Sequence, residues 1–242
     1  MNPLSGVLSE AWDLYKRHAA HFLLISFVIY VVVAALSALL SATLGGFGGF
    51  LGEILTVFGM FLLQAALVKA VQDVRDGRAD LSLGETVSAV MPVLGAVALA
   101  SILASIAITI GFFLLVVPGL ILVTFLSLIV PCVVIGQTGA LPSFGKSWRT
   151  VSGYGWHVFG TYVVAFLVLI VAEIVLSLIL LALPGALRSF ISSVVAGTLV
   201  APFIAAIVTL IYYRLTAAHG EQSEPGTGPG PTSPWDQETV VE

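Results

Sequence analysis

Long apolar runs separated by short polar segments dominate this chain. No Asp, Glu, Lys or Arg occurs in the stretches 18–52, 86–145, 150–172 and 189–213. A helix needs about 20 apolar residues to cross roughly 30 Å of hydrocarbon. Continuous apolar runs, rather than strict alternation, favour helices over the strands of a membrane barrel. The pattern predicts an all-α, polytopic membrane protein with about six transmembrane helices.

The positions of glycine and proline predict where the spans end. A glycine-rich loop at 45–50 separates the first two spans, since glycine weakens helix interiors. The stretch 86–145 would be about 90 Å long as one helix, so it must fold back. Pro118-Gly119 is the predicted reversal there, and Pro184-Gly185 the one between spans five and six. The predicted spans are 21–42, 53–71, 91–112, 120–137, 157–183 and 190–213.

A short amphipathic segment precedes spans one, three and five. This repetition predicts three hairpins, each led by an interfacial helix. The apolar positions of the first segment are Leu4, Val7, Leu8, Ala11, Trp12 and Tyr15. The second begins with the capping-box pair Ser82 and Glu85. The third has the apolar stripe Phe144, Trp148 and Val151, with Lys146, Arg149 and Thr150 on its polar side.

The basic residues predict the orientation. Eight cations fall on one side of this topology, namely Lys16, Arg17, Lys69, Arg75, Arg78, Lys146, Arg149 and Arg214, and only Arg188 falls on the other. By the positive-inside rule both termini are cytoplasmic, and aromatic residues cluster at the same boundary. The predicted cytoplasmic interfacial face consists of Trp12, Lys16, Arg17, Lys146, Ser147, Trp148 and Arg149.

Composition supports the membrane assignment and sets the domain boundary. Hydrophobic residues make up 59% of the 242 and charged residues 9%, against about 45–50% and about 25% in soluble domains. The apolar stretch after Arg17 is longer than the roughly 7–15 residues of a signal peptide core, which favours a retained first span. Beyond Arg214 the chain becomes rich in Gly, Pro, Ser, Thr and acids. We therefore predict a transmembrane domain at 1–218 and a disordered cytoplasmic tail at 219–242.

Two polar residues inside spans are candidates for function. Glu173 lies near the middle of span five, where a charge costs at least about 2.5 kcal/mol. It is either a proton or cation site, or a protonated acid that hydrogen-bonds Gln64, Ser177 or a backbone carbonyl. Gln64 lies inside span two, where an interhelical hydrogen bond is the ordinary role.

The sequence contains no pattern typical of an enzyme. Its four histidines do not pair with cysteine or carboxylate at metal-ligand spacing. There is no Walker loop, no zinc-protease helix and no nucleophile elbow. No basic patch suited to nucleic acid is present. We expect no catalysis, metal or cofactor, and we expect the lipid bilayer and another membrane or cytoplasmic protein as partners.

One group of motifs resembles a known family. It comprises the apolar run from Gly111 through Pro118-Gly119 to Pro131, the segment with Lys146, Ser147, Arg149 and Gly153, and the opening Ala11, Trp12 and Tyr15. These resemble the membrane domain of glycerophosphoryl diester phosphodiesterases and its stand-alone bacterial relatives. Relatives often carry an acid where Gln137 stands, and the catalytic barrel is not among these residues. The resemblance implies location and architecture, and it does not imply phosphodiesterase activity.

Two functions remain open from the sequence. The first is a non-catalytic multipass protein of the plasma membrane that acts through helix packing and its cytoplasmic face. The alternative is a transporter or channel for a small solute or ion, with Glu173 at mid-membrane.

Overall fold

The computed structural model describes residues 3–75, 81–182 and 196–223. Within those ranges 91% of residues are helical and no strand occurs, which confirms the all-α prediction. The helices are α1 (Val7–Arg17), α2 (Ala19–Arg75), α3 (Leu83–Leu114), α4 (Val116–Leu126), α5 (Ile129–Val134), α6 (Ala140–Val151), α7 (Gly155–Ile179) and α8 (Ala201–Ser223), the last preceded by a π-helical turn at Ala196–Val200. Five described segments are long and apolar enough to cross a membrane: Ala19–Arg75, Leu83–Leu114, Val116–Val134, Gly155–Ile179 and Thr198–Gly220.

Helix α2 is interrupted at Gly45, inside the predicted glycine loop. Gly45 has φ 58° and ψ −136°, and the chain folds back there. The Ser37 hydroxyl donates a hydrogen bond to the Gly52 carbonyl at 2.8 Å, so the two halves of α2 lie side by side. A Cβ at Gly48 would lie 1.8 Å from the Leu40 carbonyl oxygen. The loop is shorter than predicted because the glycines after Gly45 remain helical and allow the two backbones to approach closely.

The reversal between α3 and α4 lies three residues before the predicted one. Leu115 is extended, with φ −164° and ψ 152°, and α4 begins at Val116. Pro118 lies in the first turn of α4, where a missing N–H removes no helical hydrogen bond. Gly119 allows close contact with α3, because a Cβ there would lie 2.4 Å from the Phe112 ring. The second predicted reversal, Pro184-Gly185, lies outside the described residues.

The amphipathic segments differ in how they join the spans. The first and third form the separate helices α1 and α6, as predicted. The second is the first turns of α3 rather than a separate helix. Its capping box is present: the Ser82 N–H donates to the Glu85 carboxylate at 2.8 Å, and the Glu85 N–H donates to the Ser82 hydroxyl at 3.3 Å.

Helix α6 buries two serines in addition to part of the predicted apolar stripe, in which Val151 is buried and Phe144 packs against the core. Its buried residues are Ser143, Ser147 and Val151, whereas Trp148 is 43% exposed. The Ser147 hydroxyl donates to the Phe125 carbonyl of α4 at 2.7 Å. Small side chains let α6 approach its neighbour closely, and the hydrogen bond satisfies the buried hydroxyl. The apolar stripe therefore identified part of the packed face, and the burial of Ser143 and Ser147 was not predicted.

The core joins α1, α2, α3, α5 and α8. Its largest fully buried side chains include Phe22, Leu67, Leu128, Ile207, Leu210 and Leu215. Helix α7 differs, since only Val158 and Ala165 are buried along its 25 residues. Helix α8 continues to Ser223, past the predicted domain boundary at 218, and residues 224–242 lie outside the described part.

Candidate functional site

Arg214 of α8 binds the N-terminal segment. Its guanidinium donates hydrogen bonds to the carbonyls of Pro3 at 3.2 Å and Ser5 at 2.6 Å, and it pairs with the Glu10 carboxylate. Charge-assisted bonds of this kind are stronger than neutral ones. They attach the N-terminal segment to α8, although the bonded residues are more than 200 positions apart in the sequence.

Two more cations lie on aromatic rings of the same helix. The Arg75 guanidinium carbon is 3.8 Å from the Tyr213 ring centroid, and the Lys146 ammonium is 5.8 Å from the Tyr212 ring centroid. Lys146 also donates to the Gly136 carbonyl at 3.4 Å. Cation–π contacts fix the direction of a long basic side chain. We call the cluster of Arg75, Lys146, Arg214, Tyr212 and Tyr213 the basic end.

Helix α1 packs on protein along its apolar face. Val7, Ala11 and Tyr15 are buried, and the rings of Trp12 and Tyr15 lie 5.9 and 6.1 Å from that of Phe203 on α8. Burial raises the pKa of Tyr15, because the charged phenolate is disfavoured away from water. The predicted amphipathic stripe was therefore correct, and α8 covers it.

The predicted interfacial face divides into two patches on helices that both contact α8. Trp12, Lys16 and Arg17 lie on α1, and Lys16 is paired with Asp13 at 3.1 Å. The second patch, on α6, consists of Lys146, Trp148 and Arg149, while Ser147 is buried and does not belong to it. Arg17 and Arg149 are exposed and form no ion pair with any described residue.

The two intramembrane polar candidates lie on outer faces of the described bundle. Gln64 is exposed on α2, and Glu173 is exposed on α7. Neither lines the two cavities between α4 and α7. No group of His, Cys, Asp or Glu suited to a metal ion occurs among the residues that the structure describes.

An apolar cleft between α4 and α7 was missed by sequence reasoning. A cavity of about 680 Å³ lies between α4 and the first turn of α7. A second cavity of about 380 Å³ continues from it towards α3 and α8. Leu120, Thr124 and Phe159 line both. No sequence signal could have located this cleft, because it depends on how loosely α7 packs.

The family to which the chain belongs follows from comparison with known proteins. The model of a family described as a domain of unknown function, DUF7847, matches residues 19–219. The chain is a member of this family. No curated protein and no solved structure matches the chain.

The DUF7847 match spans α2 to most of α8, so it covers the helical bundle of this chain apart from α1. The family description assigns no activity. The resemblance to the phosphodiesterase membrane domain stays a prediction.

Proposed function

We propose that this DUF7847 protein is a non-catalytic multipass protein of the bacterial plasma membrane whose basic end recruits another membrane or cytoplasmic protein. Six spans in three hairpins, with both termini cytoplasmic, are the topology that this proposal requires. The fold-back at Gly45 and the reversal at Leu115 support two of the hairpins. Residues 183–195, between α7 and α8, lie outside the described part.

One observation carries the proposal: the cations of the basic end are held in fixed positions. Arg75, Lys146 and Arg214 contact rings, carbonyls or a carboxylate, so that end of the bundle has a defined shape. Next to it on α6, Trp148 and Arg149 are exposed. Aromatic residues and arginine are enriched in protein interfaces. The Trp148 ring also packs 4.3 Å from that of Phe125, and an ordered side chain lowers the entropy cost of binding a partner.

Transport through Glu173 has less support. A transport path needs polar groups around a site at mid-depth. The cavities beside α7 are lined almost wholly by apolar side chains and end at Phe166 and Leu169, before Glu173 is reached. A Glu173→Gln variant in proteoliposomes separates the two functions, since we expect its ion and solute fluxes to equal those of the wild type.

Topology is tested by cysteine labelling in intact cells. In a Cys132→Ser background, single cysteines replace Gly46, Arg17 or Arg149, all of which are exposed. A membrane-impermeant maleimide added outside the cells should label the cysteine at 46. The cysteines at 17 and 149 should stay unlabelled until the membrane is permeabilised. Labelling of 17 and 149 on opposite sides of the membrane would exclude the topology.

The partner is tested by photo-cross-linking in native membranes. A photoreactive phenylalanine analogue replaces Trp148 on α6 or, as a control, Val168 on the outer face of α7. We expect one identifiable protein adduct from position 148 only, and we expect Arg149→Glu to abolish it because charge reversal disrupts an electrostatic contact. The proposal is wrong if position 148 gives no adduct beyond that at 168, or if Arg149→Glu leaves the adduct unchanged.

A further inference from the structure

The cleft between α4 and α7 is an apolar groove that is half open to its surroundings, and Ile121 and Trp156 in its lining are 44% and 85% exposed. Protein interiors contain few voids larger than a water molecule, and apolar cavities stay dry. The two adjoining cavities, about 680 and 380 Å³, have the size of small-molecule sites. In a bilayer the molecules that can occupy such an apolar cleft are lipids, and an acyl chain matches the apolar side chains that line it.

The two ends of the cleft differ in chemistry. Phe112 and Leu169 lie at its deep end, in apolar parts of α3 and α7. Gly153, Trp156 and His157 lie at the other, and Trp156 is 85% exposed. Tryptophan prefers the headgroup level of a membrane. This places the mouth of the cleft, defined by Gly153, Trp156 and His157, where lipid headgroups lie.

The segments that line the mouth carry no acidic residue. The sequence from Thr86 to Ala172 contains no Asp or Glu, so α4 to most of α7 carry no acid. Arg149 lies in the last turn of α6, four residues before Gly153 of the mouth. The neighbouring Trp148 ring packs 4.3 Å from that of Phe125, which lines the cleft. Arg149 is exposed and has no ion-pair partner among the described residues, so it is available to an anion.

We propose that the cleft binds one anionic phospholipid, with an acyl chain between α4 and α7 and the phosphate at Arg149 and His157. The His157 ring and the guanidinium supply N–H donors, which phosphate oxygens accept. A zwitterionic lipid offers the same acyl chain but no net negative charge. The site should therefore discriminate by headgroup. Arg149 also belongs to the surface proposed for the partner protein, but lipid binding by the purified protein is measured with no partner present, so the two proposals can fail separately.

The test is native mass spectrometry of the full chain in detergent. The protein is incubated with phosphatidylglycerol and phosphatidylcholine that carry identical acyl chains. We expect phosphatidylglycerol to be retained at least about fivefold more than phosphatidylcholine, the discrimination expected of one cation near a lipid phosphate. Equal retention of the two lipids by the wild type would overturn the proposal.

Two pairs of variants separate the headgroup site from the cleft. Arg149→Gln combined with His157→Gln should lower the retention of phosphatidylglycerol to that of phosphatidylcholine. Arg17→Gln on α1 should leave the retention of phosphatidylglycerol unchanged. Ile121→Trp fills the cleft and should lower retention of both lipids. Val168→Trp, on a surface outside the cleft, is its control.

Each variant must match the wild type in helicity and elute as one species before its lipids are counted. If Ile121→Trp retains as much lipid as Val168→Trp, the lipid does not occupy the cleft. If the double variant keeps its preference for phosphatidylglycerol, Arg149 and His157 do not bind the phosphate. Either result refutes the assignment.

Discussion

Replacing Arg214 by glutamine should weaken the attachment of α1 to α8. The variant removes donors from the Pro3 and Ser5 carbonyls and a cation from Glu10. Hydrogen bonds to charged groups contribute about 1.5–3 kcal/mol. The Arg214 and Glu10 side chains are 28% and 43% exposed, so solvent screening limits the ion pair to about 1 kcal/mol or less. We expect α1 to lose about 2 kcal/mol of local stability, or about 30-fold in its opening equilibrium.

Hydrogen exchange of the detergent-solubilised protein measures this opening directly. The amides of α1 should exchange about 30-fold faster in Arg214→Gln, while those of α3 stay unchanged. Arg149→Gln, which removes an exposed cation without a described ion-pair partner, serves as the control. Glu10→Gln keeps both carbonyl bonds, so it should have a clearly smaller effect. If Glu10→Gln accelerates exchange as much as Arg214→Gln, the carbonyl bonds contribute nothing and the reasoning fails.

Two further results are expected from steric fit and from titration. Gly59→Leu should lower the midpoint temperature of unfolding in detergent, because overpacking lowers the free energy of unfolding by about 1–3 kcal/mol. The reason is that a Cβ at Gly59 would lie 2.5 Å from a Val33 methyl, whereas Gly95→Leu meets nothing within 4 Å and should match the wild type. Since the pKa of Tyr15 is raised above 10.0, its contribution to stability should be full below pH 10.0 and lost as the pH rises through the folded-state pKa. At high pH the amides of α1 should therefore lose less protection from hydrogen exchange in Tyr15→Phe than in the wild type. An identical loss in both proteins would exclude Tyr15 as its cause.

Features that depend on local chemistry were predictable from the sequence. Continuous apolar runs can satisfy backbone polar groups in lipid only as helices, which fixed the all-α class. The break near Gly45 followed from glycine's freedom at positive φ, and the Ser82–Glu85 capping box from its spacing alone. The amphipathic stripe of α1 was equally readable, since a 3.6-residue period needs no knowledge of the partner surface.

Features that depend on the fit between helices were not predictable in this way. The burial of Ser147 on α6 depends on its contact with α4, and the position of the turn at Leu115 on the close approach of Gly119 to Phe112. A residue pattern cannot tell whether lipid or protein covers an apolar face. The tertiary structure shows that α8 covers the apolar face of α1. The basic end and the apolar cleft arose only when segments far apart in sequence came together. Their chemistry lies in distances between helices, which the order of residues does not specify.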